Sequence, residues 1–364
     1  MTDYITFRGK KIYLTRGGLL DLTNQGLSDF SEIDGMEDLV NLKYINLNNN
    51  QIKNLEFFTN LASLPKLQSL SLNNNQISDL EGLEQFDHLE VLICTENRIK
   101  ELGGLENLRN LKILNLSHNQ IFEITKLEGL KDLEDLDLSF NHIQVIKGIG
   151  ALNKLVKLNL SHNDPAEMQG LEDLSELLFL NLEYNNIWKI KGLNASRNLL
   201  VLNFEGNQIE KIEDLESLTK LHDLNLNNNR IKRISRLDTL KKLKFLRLSH
   251  NNIMRVEGLR NLTALDYLQL DNNQITEIDG NELPSQLHLA LFGYNKIKEV
   301  QNLKEDKTLF HLENNQITNK EGLDDLLRDK KIILFENPVM EKIFEEYPEW
   351  VTYSKNWNYF SSRN

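Results

Sequence analysis

The chain has 364 residues and sets 42 Lys and Arg against 54 Asp and Glu, a formal net charge of −12. That field repels phosphate backbones and anionic headgroups, so nucleic acid and membrane surfaces are not expected partners. No apolar run approaches the ~20 residues of a spanning helix, the N-terminus lacks the apolar core of an export signal, and Cys94 is the only cysteine. A lone cysteine excludes an internal disulfide, and a reducing, cytoplasmic setting is the expectation.

Residues 1–19 contain Ile5-Thr6-Phe7, a turn at Arg8-Gly9-Lys10, and Lys11-Ile12-Tyr13-Leu14-Thr15, the pattern of a β-hairpin cap. From residue 20 to 339 one string recurs, L-x-x-L-x-L-x-x-N-x-I. Its asparagine falls at Asn50, Asn75, Asn97, Asn119, Asn141, Asn163, Asn185, Asn207, Asn229, Asn251, Asn273, Asn295, Asn315 and Asn337, with steps of 25, then ten of 22, then 20 and 22. Leu20-Asp21-Leu22-Thr23-Asn24-Gln25 is a degenerate copy before them, giving about 15 coils. A fixed period of this length predicts a solenoid.

Leucines such as Leu111, Leu114 and Leu116 alternate into the core of a short strand, and the strands stack in parallel. The asparagine amide is expected to pair with backbone groups of its own turn and of a neighbour, forming an internal ladder. Ile121, Ile124 and Leu127 fill the far side, and glycines at Gly82, Gly104, Gly148, Gly170, Gly192, Gly258 and Gly322 permit a tight turn there. A period of 22 leaves little room for a full helix, so short 3₁₀ or irregular turns are expected. Asn163-Asp164-Pro165 breaks the pattern, either as a local irregularity or as a point where curvature changes. In residues 340–364, Met340, Ile343, Phe344 and Tyr347 have helical spacing before Pro348, and Trp350, Tyr353, Trp357, Tyr359 and Phe360 follow. That segment either caps the last coil or docks a partner.

With phrases such as Ile99-Lys100-Glu101-Leu102-Gly103-Gly104-Leu105, the chain resembles the short-repeat leucine-rich proteins typified by the regulatory subunit of type-1 protein phosphatase, over residues 20–339. The resemblance implies an α/β fold, a leucine-rich-repeat solenoid with a curved parallel sheet on its concave face. Asn337-Pro338 matches the start of that family's closing helix, but the family's usual arginine and terminal leucine-aspartate are absent. Internalin adhesins also use 22-residue repeats, but their serine-aspartate and proline-leucine phrases are replaced here by Glu81-Gly82-Leu83, Glu128-Gly129-Leu130 and Glu257-Gly258-Leu259.

No catalytic set, cofactor or metal is expected. Cys94 occupies a core leucine position. His118, His162 and His250 share one repeat position but stand two and four coils apart, ~10 and ~20 Å at strand spacing, too far to share a zinc ion. Glu134, Asp135 and Asp137 read as a solvated strand face, Gly9-Lys10-Lys11 is no phosphate loop, and the sequons at Asn115, Asn159, Asn194 and Asn261 are by-products of the repeat.

Binding is left to the concave face, read by columns. Four residues before the asparagine the column is mostly amide, and only Asp137 matches the acidic and aromatic residues expected of the phosphatase regulator, which argues against the phosphatase as partner. Six residues before it, Phe245, Tyr267, Leu289 and Leu309 fall on four consecutive strands with Leu291 and Tyr294 beside them, and Phe179 and Val201 make a smaller patch with Tyr184. The chain is therefore expected to be a non-enzymatic scaffold or regulatory subunit binding a protein there, the alternative being an internalin-like surface adhesin or sensor.

Overall fold

The computed structural model describes residues 4–60, 64–303 and 307–350, so Tyr353, Trp357, Tyr359 and Phe360 lie outside it. It divides into two compact units, Met1–Leu199 and Leu200–Asn364. In the first, parallel strands run from Leu19–Asp21 to Phe179–Asn181, in register, so that Leu114 lies opposite Leu92 and Leu136. In the second they run from Val201–Asn203 to Ile332–Ile333, with Leu224 opposite Leu202 and Leu246. This is the expected α/β solenoid of parallel strands with few helices.

The strands are short because each coil offers only one inward residue between two outward ones before the chain must turn. Leu111, Leu114, Leu116, Ile121, Ile124, Leu127 and Leu130 of a single coil are all fully buried. Their cover comes from the coils above and below, so a coil alone has no core and the array is stable only as a stack.

The asparagine ladder is formed as expected. Asn119 Nδ2 donates to Cys94 O of the preceding coil at 2.9 Å and to Leu116 O and Ser117 O of its own at 3.0 and 3.3 Å, while its Oδ1 accepts the Ile99 N–H at 3.0 Å. The same arrangement repeats in the second unit, for example at Asn251 and Asn273. Asn50 is the first rung: it serves Leu22 O and the Gln25 and Leu27 N–H groups, while Gln25 itself is exposed.

Pro165 explains itself within this ladder. In regular coils the apolar residue two places after one asparagine donates its N–H to the next asparagine, as Ile143 does to Asn163 at 2.9 Å. Proline has no N–H. Asn185 Oδ1 instead accepts the Asn163 N–H at 3.1 Å, so the rung is kept with a different donor, and Pro165 is itself buried.

The glycines foreseen at the far-side turn have positive φ, but Lys126, Asp214 and Arg236 adopt that conformation at equivalent places. Close approach makes the difference at Gly104, where a Cβ would sit 2.2 Å from Leu80 O.

At the N-terminal end, Tyr4–Phe7 and Lys10–Tyr13 form an antiparallel hairpin turned through Arg8 and Gly9, both with positive φ. Ile33–Asp34 adds a third antiparallel strand that the sequence pattern did not announce. On the far side lie 3₁₀ turns at Phe30–Glu32, Glu56–Asn60 and Gly280–Glu282, together with a parallel strand pair, Glu277–Asp279 with Glu299–Gln301. Near the other end come helices Asp324–Arg328 and Met340–Glu346, the latter burying Met340 and Ile343, and Trp350 packs on Phe335 with ring centroids 6.0 Å apart. Among the described residues no helix is long and apolar enough to cross a membrane.

Candidate protein-binding surface

The second unit brings Phe245, Tyr267, Leu289 and Leu309 into one row. Strand register places Phe245 opposite Tyr267, Tyr267 opposite Leu289, and Leu289 opposite Leu309. Their inward neighbours Leu246, Leu268, Ala290 and Phe310 fill the core, so the row itself faces solvent on the sheet. Phe245 is exposed, and Tyr267, Leu289, Leu309 and Leu291 are half-buried. The Phe245 and Tyr267 rings lie 6.3 Å apart, and the Arg247 guanidinium sits 5.8 and 5.9 Å from their centroids, within cation–π range. Asp223 holds Arg247 from the adjacent strand at 2.5 Å.

Tyr294 is 57% exposed and has φ +55°. Every coil puts a left-handed residue immediately before the asparagine position, because the strand must turn sharply there. Asparagine or glycine meets this cheaply, as at Asn24, Asn49, Asn74, Gly206, Asn228, Asn272 and Asn314. A bulky ring in that conformation costs more, and at Tyr294 the ring points outward beside the apolar row.

An acidic pair borders the same row. Asp271 and Glu313 stand two residues before their asparagines, on the coils to either side of Gly293. Asp271 accepts the Gly293 N–H at 2.9 Å and faces Ser249 Oγ at 3.3 Å, and the Glu313 Oε2 atom is buried without a hydrogen-bond partner. Burial pushes the Asp271 carboxyl above the usual carboxylate range, the Gly293 N–H opposes the rise, and the charge on Glu313 adds to it. A raised carboxyl pKa means that the folded chain holds its proton more tightly than the unfolded chain. Stability is therefore fullest below the ordinary carboxylate pKa and falls as pH rises through the folded value. Asp271→Asn, whose one oxygen can still accept the Gly293 N–H while its amide nitrogen donates to Ser249 Oγ, is expected to raise the melting temperature at pH 8 and to lose that advantage in acid. Melting curves at the two pH values check it, and equal curves at pH 8 would contradict it.

The smaller expected patch is divided: Phe179 and Tyr184, 38% and 47% exposed, lie in the first unit, and Val201, half-buried, lies in the second. The first unit instead shows a feature the column reading passed over. His118, Phe140, His162 and Tyr184 stack in series, with centroid separations of 4.2, 4.1 and 4.7 Å and interplanar angles of 10°, 12° and 21°. All four residues are left-handed, and mutual stacking offsets part of that cost. The amide column also has a local role: Asn115, Asn159, Asn181 and Asn225 each accept the N–H two residues ahead at 3.0–3.1 Å, holding the strand end.

Cys94 is fully buried, and burial pushes its thiol far up, as a core residue requires. Phe140 separates the His118 and His162 rings, and among the described residues no group of His, Cys, Asp and Glu is arranged to hold a metal ion. Asp135 pairs with Lys157 at 3.4 Å, and Asp137 accepts from Ser139, so the acidic cluster is partly neutralised.

Residues 40–85, 87–132, 197–242 and 241–285 match the family model described as leucine rich repeats (2 copies). No curated protein matches the chain by sequence. Among solved structures, the chain is similar to an internalin of Listeria monocytogenes, at 25% identity over 85% of this chain and 91% of that one with a TM-score of 0.71. It is also similar to a leucine-rich-repeat protein of Leptospira interrogans, at 26% identity over 90% and 93% with a TM-score of 0.69. A chain from a complex of TLR13 with single-stranded RNA is 22% identical over 88% of this chain and 54% of that one, with a TM-score of 0.68, a likeness of fold alone.

Proposed function

The chain is a leucine-rich-repeat protein, and we propose that it is a non-enzymatic protein-binding module, a cytoplasmic scaffold or regulatory subunit. The proposed docking surface is the sheet face around Phe245, Tyr267, Leu289, Leu291, Tyr294 and Leu309. The observation that carries this reading is the unbroken, in-register row of apolar side chains standing outside a core that is already full. Single exposed apolar residues need no explanation, but a contiguous set containing aromatic rings and bordered by charge has the make-up of an interface centre. Phe179, Tyr184 and Val201 are secondary candidates. The partner is not proposed to be the phosphatase, since Asp137 alone carries that regulator's character. The net charge of −12 continues to disfavour nucleic acid. The likeness to the Listeria internalin favours a second reading, a surface adhesin or sensor.

Hydroxyl-radical footprinting of the chain, alone and with the partner captured from native lysate, tests the face. Oxidation of Phe245, Tyr267 and Tyr294 is expected to fall on binding, while Trp188, 52% exposed in the first unit, is unchanged. Protection elsewhere with these three unaffected would remove the row from the interface.

A further inference from the structure

We propose that the segment docked on this face inserts one Lys or Arg side chain above Gly293, its stem along Leu289 and Leu291 and its cationic head between Asp271 and Glu313. The inference rests on the reading of this face as the docking surface and adds the chemistry of the occupant.

Gly293 is buried and makes a gap between two acids. A Cβ there would lie 3.0 Å from Glu313 Oε1 and 3.2 Å from Asp271 Oδ1, so both oxygens face one slot and a single cationic head above the glycine can reach both. Asp135 and Asp223, also on outward strand positions, have basic partners in Lys157 and Arg247. Among the described residues no Lys or Arg pairs with Asp271 or Glu313. The nearest ionisable nitrogen, His311 Nδ1, is 3.8 Å from Glu313 Oε2, beyond hydrogen-bond length, and that oxygen is buried and unsatisfied. Two largely buried carboxylates held together with no Lys or Arg partner are costly, and a cation arriving with the partner offsets that cost. The surroundings select its form. Only two carboxylates converge, too few to coordinate a metal ion, while Leu289, Leu291 and the exposed Tyr294 ring offer apolar surface to an aliphatic stem.

The test is selection of a random peptide library displayed on phage against the full chain, with Phe245→Glu/Tyr267→Glu as the counter-target. Peptides that depend on the row are expected to carry a Lys or Arg beside a leucine or aromatic residue. For the best of them, Asp271→Asn with Glu313→Gln should weaken binding by about ten-fold or more. Replacing the peptide's basic residue by norleucine should cost a similar factor, and combining both changes should add little further. Row-dependent peptides without a basic residue, or with affinity indifferent to the neutralised pair, would overturn the proposal and leave the docking face standing. A library yielding no peptide that depends on Phe245 and Tyr267 would overturn the docking reading itself.

Discussion

Asn185→Ala is expected to destabilise the chain by about 2–4 kcal/mol, because one side chain there serves four backbone groups, each costly to bury unmet. Its Nδ2 donates to Leu160 O at 3.0 Å, Leu182 O at 2.9 Å and Glu183 O at 3.2 Å, and its Oδ1 accepts the Asn163 N–H at 3.1 Å. Asn185 is only 6% exposed, so water has little access to the groups left behind. This rung also adjoins Pro165, the one described coil position where a missing N–H has already shifted the bonding. Urea denaturation of the two proteins gives the difference. A loss under ~0.5 kcal/mol, the size of a surface substitution, would mean that the ladder contributes nothing net.

The period made the core legible. Leucines and isoleucines spaced for a coil can be buried together in only one arrangement, and Leu111 through Leu130 occupy it. The column reading likewise placed Phe245, Tyr267, Leu289 and Leu309 in a row, because strand register follows directly from a constant repeat length. Less visible was anything set by backbone direction at the turns. His118, Phe140 and His162 share a repeat position, but their stacking depends on left-handed residues aiming the rings along the array. Asn225 belongs to the amide column, and what that pattern does not reveal is that its amide oxygen is spent on the Asn227 N–H at 3.1 Å while its nitrogen reaches Glu205 Oε2 at 2.9 Å. The pairing of Asp271 with Glu313 was written in the column two before the asparagine. Its meaning depends on Gly293 between them, because any larger residue would fill the slot.

Phe245→Glu combined with Tyr267→Glu is expected to weaken partner binding by about 3 kcal/mol or more, over a hundred-fold in Kd. The row is the apolar centre of the proposed interface, and two new carboxylates there would have to be desolvated on docking. In the free chain position 245 is exposed and position 267 half-exposed, and Arg247, now stacked over both rings, can pair with both carboxylates. Leu246 and Leu268 beneath are fully buried and untouched, so the fold should hold.

The most direct measurement is therefore the Kd for the captured partner together with the melting temperature, both taken on the same preparation of this double variant. The predicted result is a Kd raised at least about a hundred-fold with a melting temperature within about 1–2 °C of the parent, the shift of roughly 1 kcal/mol in a chain of this size. An unchanged Kd would contradict the account, and so would lost binding accompanied by a large fall in melting temperature, which would mean that the two rings belong to the core.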